Sequence, residues 1–445
     1  MAGRIKDVET SLRQQLGSLA RSSSKHCIYR VPDHLLKVKR ECYNPLVVSI
    51  GPLYYKNRTL KSSHELKLRH LKCFLEFCKY TNGNNNATSL GEFIDIIGEC
   101  EEEARSYYAE KITLSSDEFV EMVMVDATFI IFLLIEFSDQ FSLGPHPMEN
   151  KYDVMLQVHQ DLFLEENQLP FFILNHLYDV AFGEAYPNIS FKDITCNFIG
   201  FSFFPGREVA RSAIGKEKLM KVPKIMHLVD FLRTCCLPTK LRYQLPEYTN
   251  GVDSDELPLT AKELKTLGVK FMASESKTLL DITFSKGVLH IPTLTIQDTT
   301  ESTLRSIVFF EQCHHFCDSY VIDYLFFLDA LIHTQEDVQI LVQHGIIKHF
   351  FGSNDEVANL FNRITKNLSM RNPGFYYAQV CQDLNAYLIK TKKNKWKALM
   401  SKKDCFDYPW YELPADVNSP AGWSVSWPCW SVAQPSLAGS GAKHC

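Results

Sequence analysis

The chain of 445 residues carries 47 Lys and Arg against 52 Asp and Glu, a formal charge of −5, so no global basic field exists to hold nucleic acid by phosphate neutralisation. Hydrophobic residues make up 45% and charged residues 22%, which is the balance of a folded chain and excludes wholesale disorder. The 14 cysteines are scattered without short-loop spacing, and the N-terminus has no apolar signal core, so reduced thiols and an intracellular setting are expected.

In chain order, residues 47–50 read as a short strand before the Gly51-Pro52 turn. Four pairs have capping-box spacing, Ser62 with Glu65, Ser89 with Glu92, Ser115 with Glu118 and Ser353 with Glu356, and each predicts a helix start. After the first, Leu66, Leu68, Leu71, Phe74, Leu75 and Phe77 form an apolar stripe, in which Leu68 breaks the period slightly, among lysines and Arg69, a core helix and not a basic binding face. The most apolar run, residues 127–135, is nine residues between Asp126 and Glu136, well short of the roughly 20 a spanning helix needs.

Further helices are predicted over 149–164, 168–181, 216–237, 300–333, 335–344 and 374–400, with loops at 82–86 and 142–147 and a polar linker at 238–258. Residues 279–284 and 288–291 are apolar, β-branched runs joined by Ser285-Lys286-Gly287, which predicts a hairpin. Residues 293–296 are a candidate further strand. The fold expected is mainly α with a small antiparallel β element around 279–296. The domain reading is a variable segment over 1–25, one helical core over 26–400 with the polar insertion, and a disordered tail over 401–445.

Candidate chemistry is sparse. Cys313-His314-His315-Phe316-Cys317 would place two thiols one helical turn apart with imidazoles beside them, but structural zinc draws on two separated ligand pairs and no second pair is evident. Helix with buried thiols is the expectation. His64-Glu65 and His70 are spaced by six where a zinc-protease helix needs four, so a surface capping residue and a polar helix face are expected. Gly439-Ser440-Gly441 with Lys443 lies in a stretch with no strand or helix to make a phosphate loop of it. The run from Glu165 to Phe172 reads as a break between helices, with Asn167 capping the next turn, Pro170 at an early helical position and the Phe pair packed inward. An enzyme would require Glu165, Glu166 and Asn167 to converge with a His such as His159 or His176. No catalytic, cofactor or metal residue is assigned.

Several blocks read together resemble a plant family known as domain of unknown function 247. They include Ile28-Tyr29-Arg30-Val31-Pro32, Tyr43-Asn44-Pro45 leading to Val48-Ser49-Ile50-Gly51-Pro52, Ala104-Arg105-Ser106-Tyr107-Tyr108, and Asp126-Ala127-Thr128-Phe129-Ile130. Asp161-Leu162-Phe163-Leu164-Glu165-Glu166-Asn167-Gln168-Leu169-Pro170, Leu259 to Phe271, Ile291-Pro292, Glu311-Gln312, Ser319-Tyr320 and Asp337-Val338 continue the series. The family more often has Gly at the place of Ala127 and Asn at that of Ser306. The resemblance implies a plant protein of largely unknown biochemistry. Some grass members are linked to pollen-side self-incompatibility, which implies partner recognition in place of catalysis.

The resemblance also implies a basic helix, a Pro-Trp pair and then an apolar membrane anchor. Here Pro409-Trp410 is followed by a Ser/Pro/Gly/Trp-rich stretch, so the expectation is an alternative transcript end or a shifted reading frame, and disorder. Lys390, Lys392, Lys393, Lys395, Lys397, Lys402 and Lys403 surround Trp396. They form a candidate contact for an acidic membrane surface or acidic partner, consistent with a soluble intracellular or peripheral membrane location.

Overall fold

The computed structural model describes residues 8–13, 25–55, 60–83, 87–138, 140–141, 152–199, 224–242, 258–276, 278–315, 318–366, 368 and 374–401. Residues 1–392 belong to one compact unit and residues 393–445 to a second. The expected loop at 142–147, most of the polar linker and the tail beyond 401 lie outside the described residues.

The first half of the chain is built around one enclosed helix. After a short helix α1 (Asp33–Leu36) come α2 (Lys61–Asn82), α3 (Leu90–Arg105), α4 (Ser116–Glu136), α5 (Tyr152–Leu162), α6 (Phe171–Phe182) and α7 (Phe191–Ile199). In α4 every residue from Met122 to Ile135 is buried, and a helix that is apolar all round must be covered on all sides. Helices α2, α3, α6 and α7 cover it. The short apolar run is thus a core helix, as its length required.

The second half adds α8 (Leu228–Cys236), α9 (Ala261–Thr266), α10 (Thr300–His314), α11 (Tyr320–Leu331), α12 (Gln335–Gln343), α13 (Asn354–Thr365) and α14 (Ala378–Ser401). Between and among them lie β1 (Lys270–Ser274), β2 (Thr283–Ser285), β3 (Val288–Pro292), β4 (Leu294–Ile296) and β5 (Ile347–His349). Strand β3 pairs antiparallel with β2 and parallel with β1, and β4 pairs parallel with β5. One apolar cluster runs from Cys27 to Leu388 through both halves.

The fold is mainly helical with a small β element, and the hairpin is present. Its turn is tighter than the three residues expected. Ser285 pairs with Val288, leaving Lys286 and Gly287 as a two-residue turn with φ of 50° and 80°, the conformation whose twist suits a hairpin. A Cβ on Gly287 would stand 2.6 Å from the Tyr387 hydroxyl, so this position needs Gly for space as well as for φ. Residues 279–282 are outside the strand, and β1 and β5 were not anticipated.

Other differences have local causes. The helix expected over 300–333 is two helices, because the Glu311 carboxylate accepts the amide hydrogens of Val321 and Ile322 at the start of α11 and so caps a new helix. Residues 224–227 are not helical, and α8 starts at Leu228 with the His227 ring accepting from the Asp230 amide; residues 216–223 lie outside the described part. Ser89 and Ser115 form complete capping boxes, and Ser353 caps α13 by its hydroxyl alone. Helix α2 begins after Leu60, which makes no side-chain cap, so Ser62 is not its capping residue. Residues 47–50, expected as a strand, join no sheet.

Candidate functional site

Residues 46–51 pair with no strand and bend at Leu46, Val47 and Gly51, which turns their amide donors inward. Buried side chains accept from them. The two oxygens of Asp161, at the end of α5, accept from the amides of Leu46, Val47 and Val48 at 2.7 to 2.8 Å. Asn167 accepts from Ile50 at 2.7 Å and donates to the carbonyl of Val48 at 3.1 Å. Asp126 on α4 accepts from Gly51 at 2.8 Å and pairs with buried Lys67 of α2, which also donates to the Ser49 carbonyl.

Gly51 lies close over this joint. Its φ is 71° and a Cβ would stand 2.5 Å from the Gln168 carbonyl oxygen, so the Gly51-Pro52 turn is fixed by both conformation and space. Upstream, Ile28 bridges to Tyr108, and the Val31 amide donates to Glu166 at 2.6 Å. Gln168 donates to the carbonyls of Leu162 and Leu164 and accepts from the Leu228 amide. The break between α5 and α6 is therefore the point where residues 27–51, α4 and α8 are joined.

This corrects the local reading of Asn167. It does not cap α6, whose first turn follows Pro170 without a side-chain cap; its amide is spent on the strap. Phe171 is buried, whereas Phe172 is partly exposed and packs on the Tyr107 ring. His70 is fully buried against Phe129 and lies 3.6 Å from Glu136, so it belongs to the core and not to a polar helix face.

Beneath the strap sits an enclosed group of titratable side chains. Glu165 is buried, and neither of its carboxyl oxygens has a hydrogen-bond partner. Burial, then the charges of Asp230 and Glu166, hold it well above the usual carboxylate range. His227 Nε2 lies 3.9 Å from Glu165 and 3.3 Å from the Cys27 carbonyl, while its Nδ1 accepts from the Asp230 amide. That arrangement fits the neutral ring with its proton on Nε2, and burial pushes its pKa down to about 4. Burial likewise raises the Cys27 thiol, which disfavours a thiolate nucleophile.

The histidines named from sequence are not these. His159 stacks on Phe198 with ring centroids 4.6 Å apart, and His176 is exposed. The imidazole that meets Glu165 is His227, and His315 lies 3.7 Å from Asp230. No local signal marks His227; only its place before an apolar nonamer, as a helix cap, was available. Helix α10 takes in Cys313 and ends at His314, so the stretch begins as the expected helix, but Cys313 is exposed and not the buried thiol expected. Phe316 and Cys317 lie outside the described residues. Among the described residues no group of three or more His, Cys, Asp or Glu is placed to hold a metal ion.

Outward from Glu166 the surface opens into a groove of about 510 Å³ lined by Arg30, Pro52, Leu53, Tyr54 and residues 110–114. Arg30 connects the two levels, reaching Glu110 at 2.9 Å on the rim and Glu166 at 3.3 Å below. Of the lysine cluster, Lys390 is exposed on α14; the side chains of Lys392, Lys393, Lys395 and Lys397, and all of Lys402 and Lys403, lie outside the described residues. Among the described residues no helix is long and apolar enough to cross a membrane.

A helical scaffold that clamps an N-terminal strap with buried acids is the class of protein defined by these features. The blocks that build the clamp are those of a family described as plant protein of unknown function, whose model matches residues 28–413, and the chain belongs to that family. It is similar to a UPF0481 protein of Arabidopsis thaliana, 29% identical over 408 residues, covering 86% of this chain and 81% of the relative. A putative UPF0481 protein of the same plant is 23% identical over 145 residues, 32% of this chain and 26% of the relative. No solved structure matches.

Proposed function

We propose that this chain is a non-enzymatic recognition protein whose contact surface is the groove at Arg30, Tyr54 and residues 110–114. One observation carries the reading: Asp161, Glu166, Asn167 and Asp126 are spent on main-chain amides. A buried carboxylate whose oxygens are engaged by main-chain amides is an anchor and is not free to meet a substrate. The outer surface is then what another molecule meets, and the groove offers it a phenol, a guanidinium and aliphatic side chains together. The link of some grass relatives to self-incompatibility points the same way.

Affinity capture from plant tissue tests this with the wild-type chain and a Lys111→Glu, Thr113→Arg variant, both positions being exposed. The reading expects proteins retained by wild type and released by the variant. Identical retention by both would contradict it.

A second reading rests on Glu165. A buried carboxyl with both oxygens unpartnered beside a neutral imidazole is a candidate acid–base pair. Turnover of any hydrolysable substrate by the wild-type chain, abolished in a folded Glu165→Gln variant, would establish this reading and overturn the first.

A further inference from the structure

A second polar centre, sharing no lining residue with the groove, lies where α1, α10 and α13 meet. The Glu301 carboxylate accepts from Lys39 Nζ at 2.7 Å, from Arg305 Nε and Nη2 at 3.0 and 2.9 Å, and from Arg363 Nη2 at 3.0 Å. Three cations thus share one carboxylate, which leaves two positive charges over. The exposed Arg40 and Glu41 that follow Lys39 offset one another. Burial alone would raise Glu301, yet Lys39 and Arg305 outweigh it and hold the carboxyl below its ordinary range.

The surplus is placed beside empty space. Arg305 and Arg363 line a cleft with Tyr43 and Gln312 between apolar walls at Leu35 and Phe309; the cleft encloses about 10 Å³ within about 340 Å³ that includes its open mouth. That is room for one ligand oxygen inside and the remainder at the mouth. The Tyr43 hydroxyl bonds the Arg305 guanidinium, and the Arg305 side chain is only 6% exposed whereas that of Arg363 is 47% exposed. Cations held partly out of water and short of counter-charge attract a compact anion, and paired guanidinium groups match phosphate oxygens best.

We propose that Arg305, Arg363 and Tyr43, with Lys39 behind them on the shared Glu301 carboxylate, form a binding site for a phosphate dianion, free or as a monoester. Its charge equals the surplus, one oxygen enters beside Arg305 and Tyr43, and the rest meet Arg363 at the mouth. An ester group would project outward, since the enclosed part takes a single oxygen. A carboxylate would neutralise half the surplus and bind more weakly.

Calorimetric titration of the full chain with inorganic phosphate and with O-phosphoserine, at constant ionic strength set by chloride, tests the site. Saturable binding of either is expected, at least tenfold weaker in Arg363→Gln and unchanged in Arg69→Gln, a control at an exposed arginine paired only along its own helix. Lys39→Gln is a second variant expected to weaken binding should Arg363→Gln disturb the fold. Tighter O-phosphoserine would identify the ester form and tighter inorganic phosphate the free ion. Absence of saturable binding, binding retained in both site variants, or equal loss in Arg69→Gln would overturn the proposal.

Discussion

Asp161 shows how one side chain can satisfy three consecutive main-chain donors. Its three amide donors lie 113 to 115 residues earlier in the chain, and each would be left without an acceptor in a buried place if the carboxylate were removed. Burial pushes its pKa up to about 6, against the pull of those amides, so it is ionised at pH 7 and geometry matters more than charge alone. Asp161→Asn keeps the shape but turns one acceptor oxygen into a donor facing a donor. A loss of about 2–4 kcal/mol in urea unfolding is expected, and Asp161→Ala should lose at least as much.

His227 makes a prediction of a different kind. Its folded pKa of about 4 lies below the roughly 6.5 of an unfolded chain. The stabilisation it gives is therefore present at neutral pH and is lost as the pH falls from about 6.5 through 4. Imidazole proton shifts followed by NMR should hold the neutral value for His227 down to about pH 5.5, and a titration centred near 6.5 would show the ring to be exposed or ionised. Sequence inspection could not have selected this residue, because burial by Phe310 and Glu165 comes from chain segments about 80 and 60 residues away.

Among the elements, those with local rules were legible and those with remote partners were not. The Ser89 and Ser115 caps, the apolar run of α4 and the turn at Lys286-Gly287 each carry their signal within a few residues. Ser115→Ala is expected to cost about 1 kcal/mol of stability in thermal or urea unfolding. Gly287→Ala should cost more, since its φ is positive and a Cβ would meet the Tyr387 ring; comparison with Gly268→Ala, where φ is 96° and no atom lies within 4 Å, separates the clash from the backbone strain. Equal losses at the two glycines would remove the clash from the account.

The split of α10 from α11 was hidden for the opposite reason. Hydrophobic period runs on through both, and what starts the second helix is the carboxylate of Glu311, fixed by Arg233 at 2.9 Å from α8 and turned toward the amides of Val321 and Ile322. Residues 47–50 have the β-branched composition of a strand, but composition says nothing about a partner. The segment bends at Leu46, Val47 and Gly51. Its amides are met by Asp161, Asn167 and Asp126.

At the scale of the molecule, several of the sequence blocks that resemble the family lie where the N-terminal strap crosses α4, α5 and α8. Such a joint accounts for acids that sit deep inside a protein: each holds backbone amides that would otherwise lack an acceptor. It also explains why the groove lies where it does, because Arg30 and residues 52–54 at the ends of the clamped stretch form one wall and the 110–114 connection forms the other.

Amide hydrogen exchange at Leu46, Val47, Val48 and Ile50 tests this joint most directly, read by NMR in the wild-type chain and in Asp161→Ala. If buried carboxyl and carboxamide oxygens hold this backbone, these four amides exchange in the wild type as slowly as the core of α4, and the three Asp161 donors are released together in the variant. Fast exchange of the same amides in the wild type, or protection of the Asp161 donors that survives Asp161→Ala, would contradict the account.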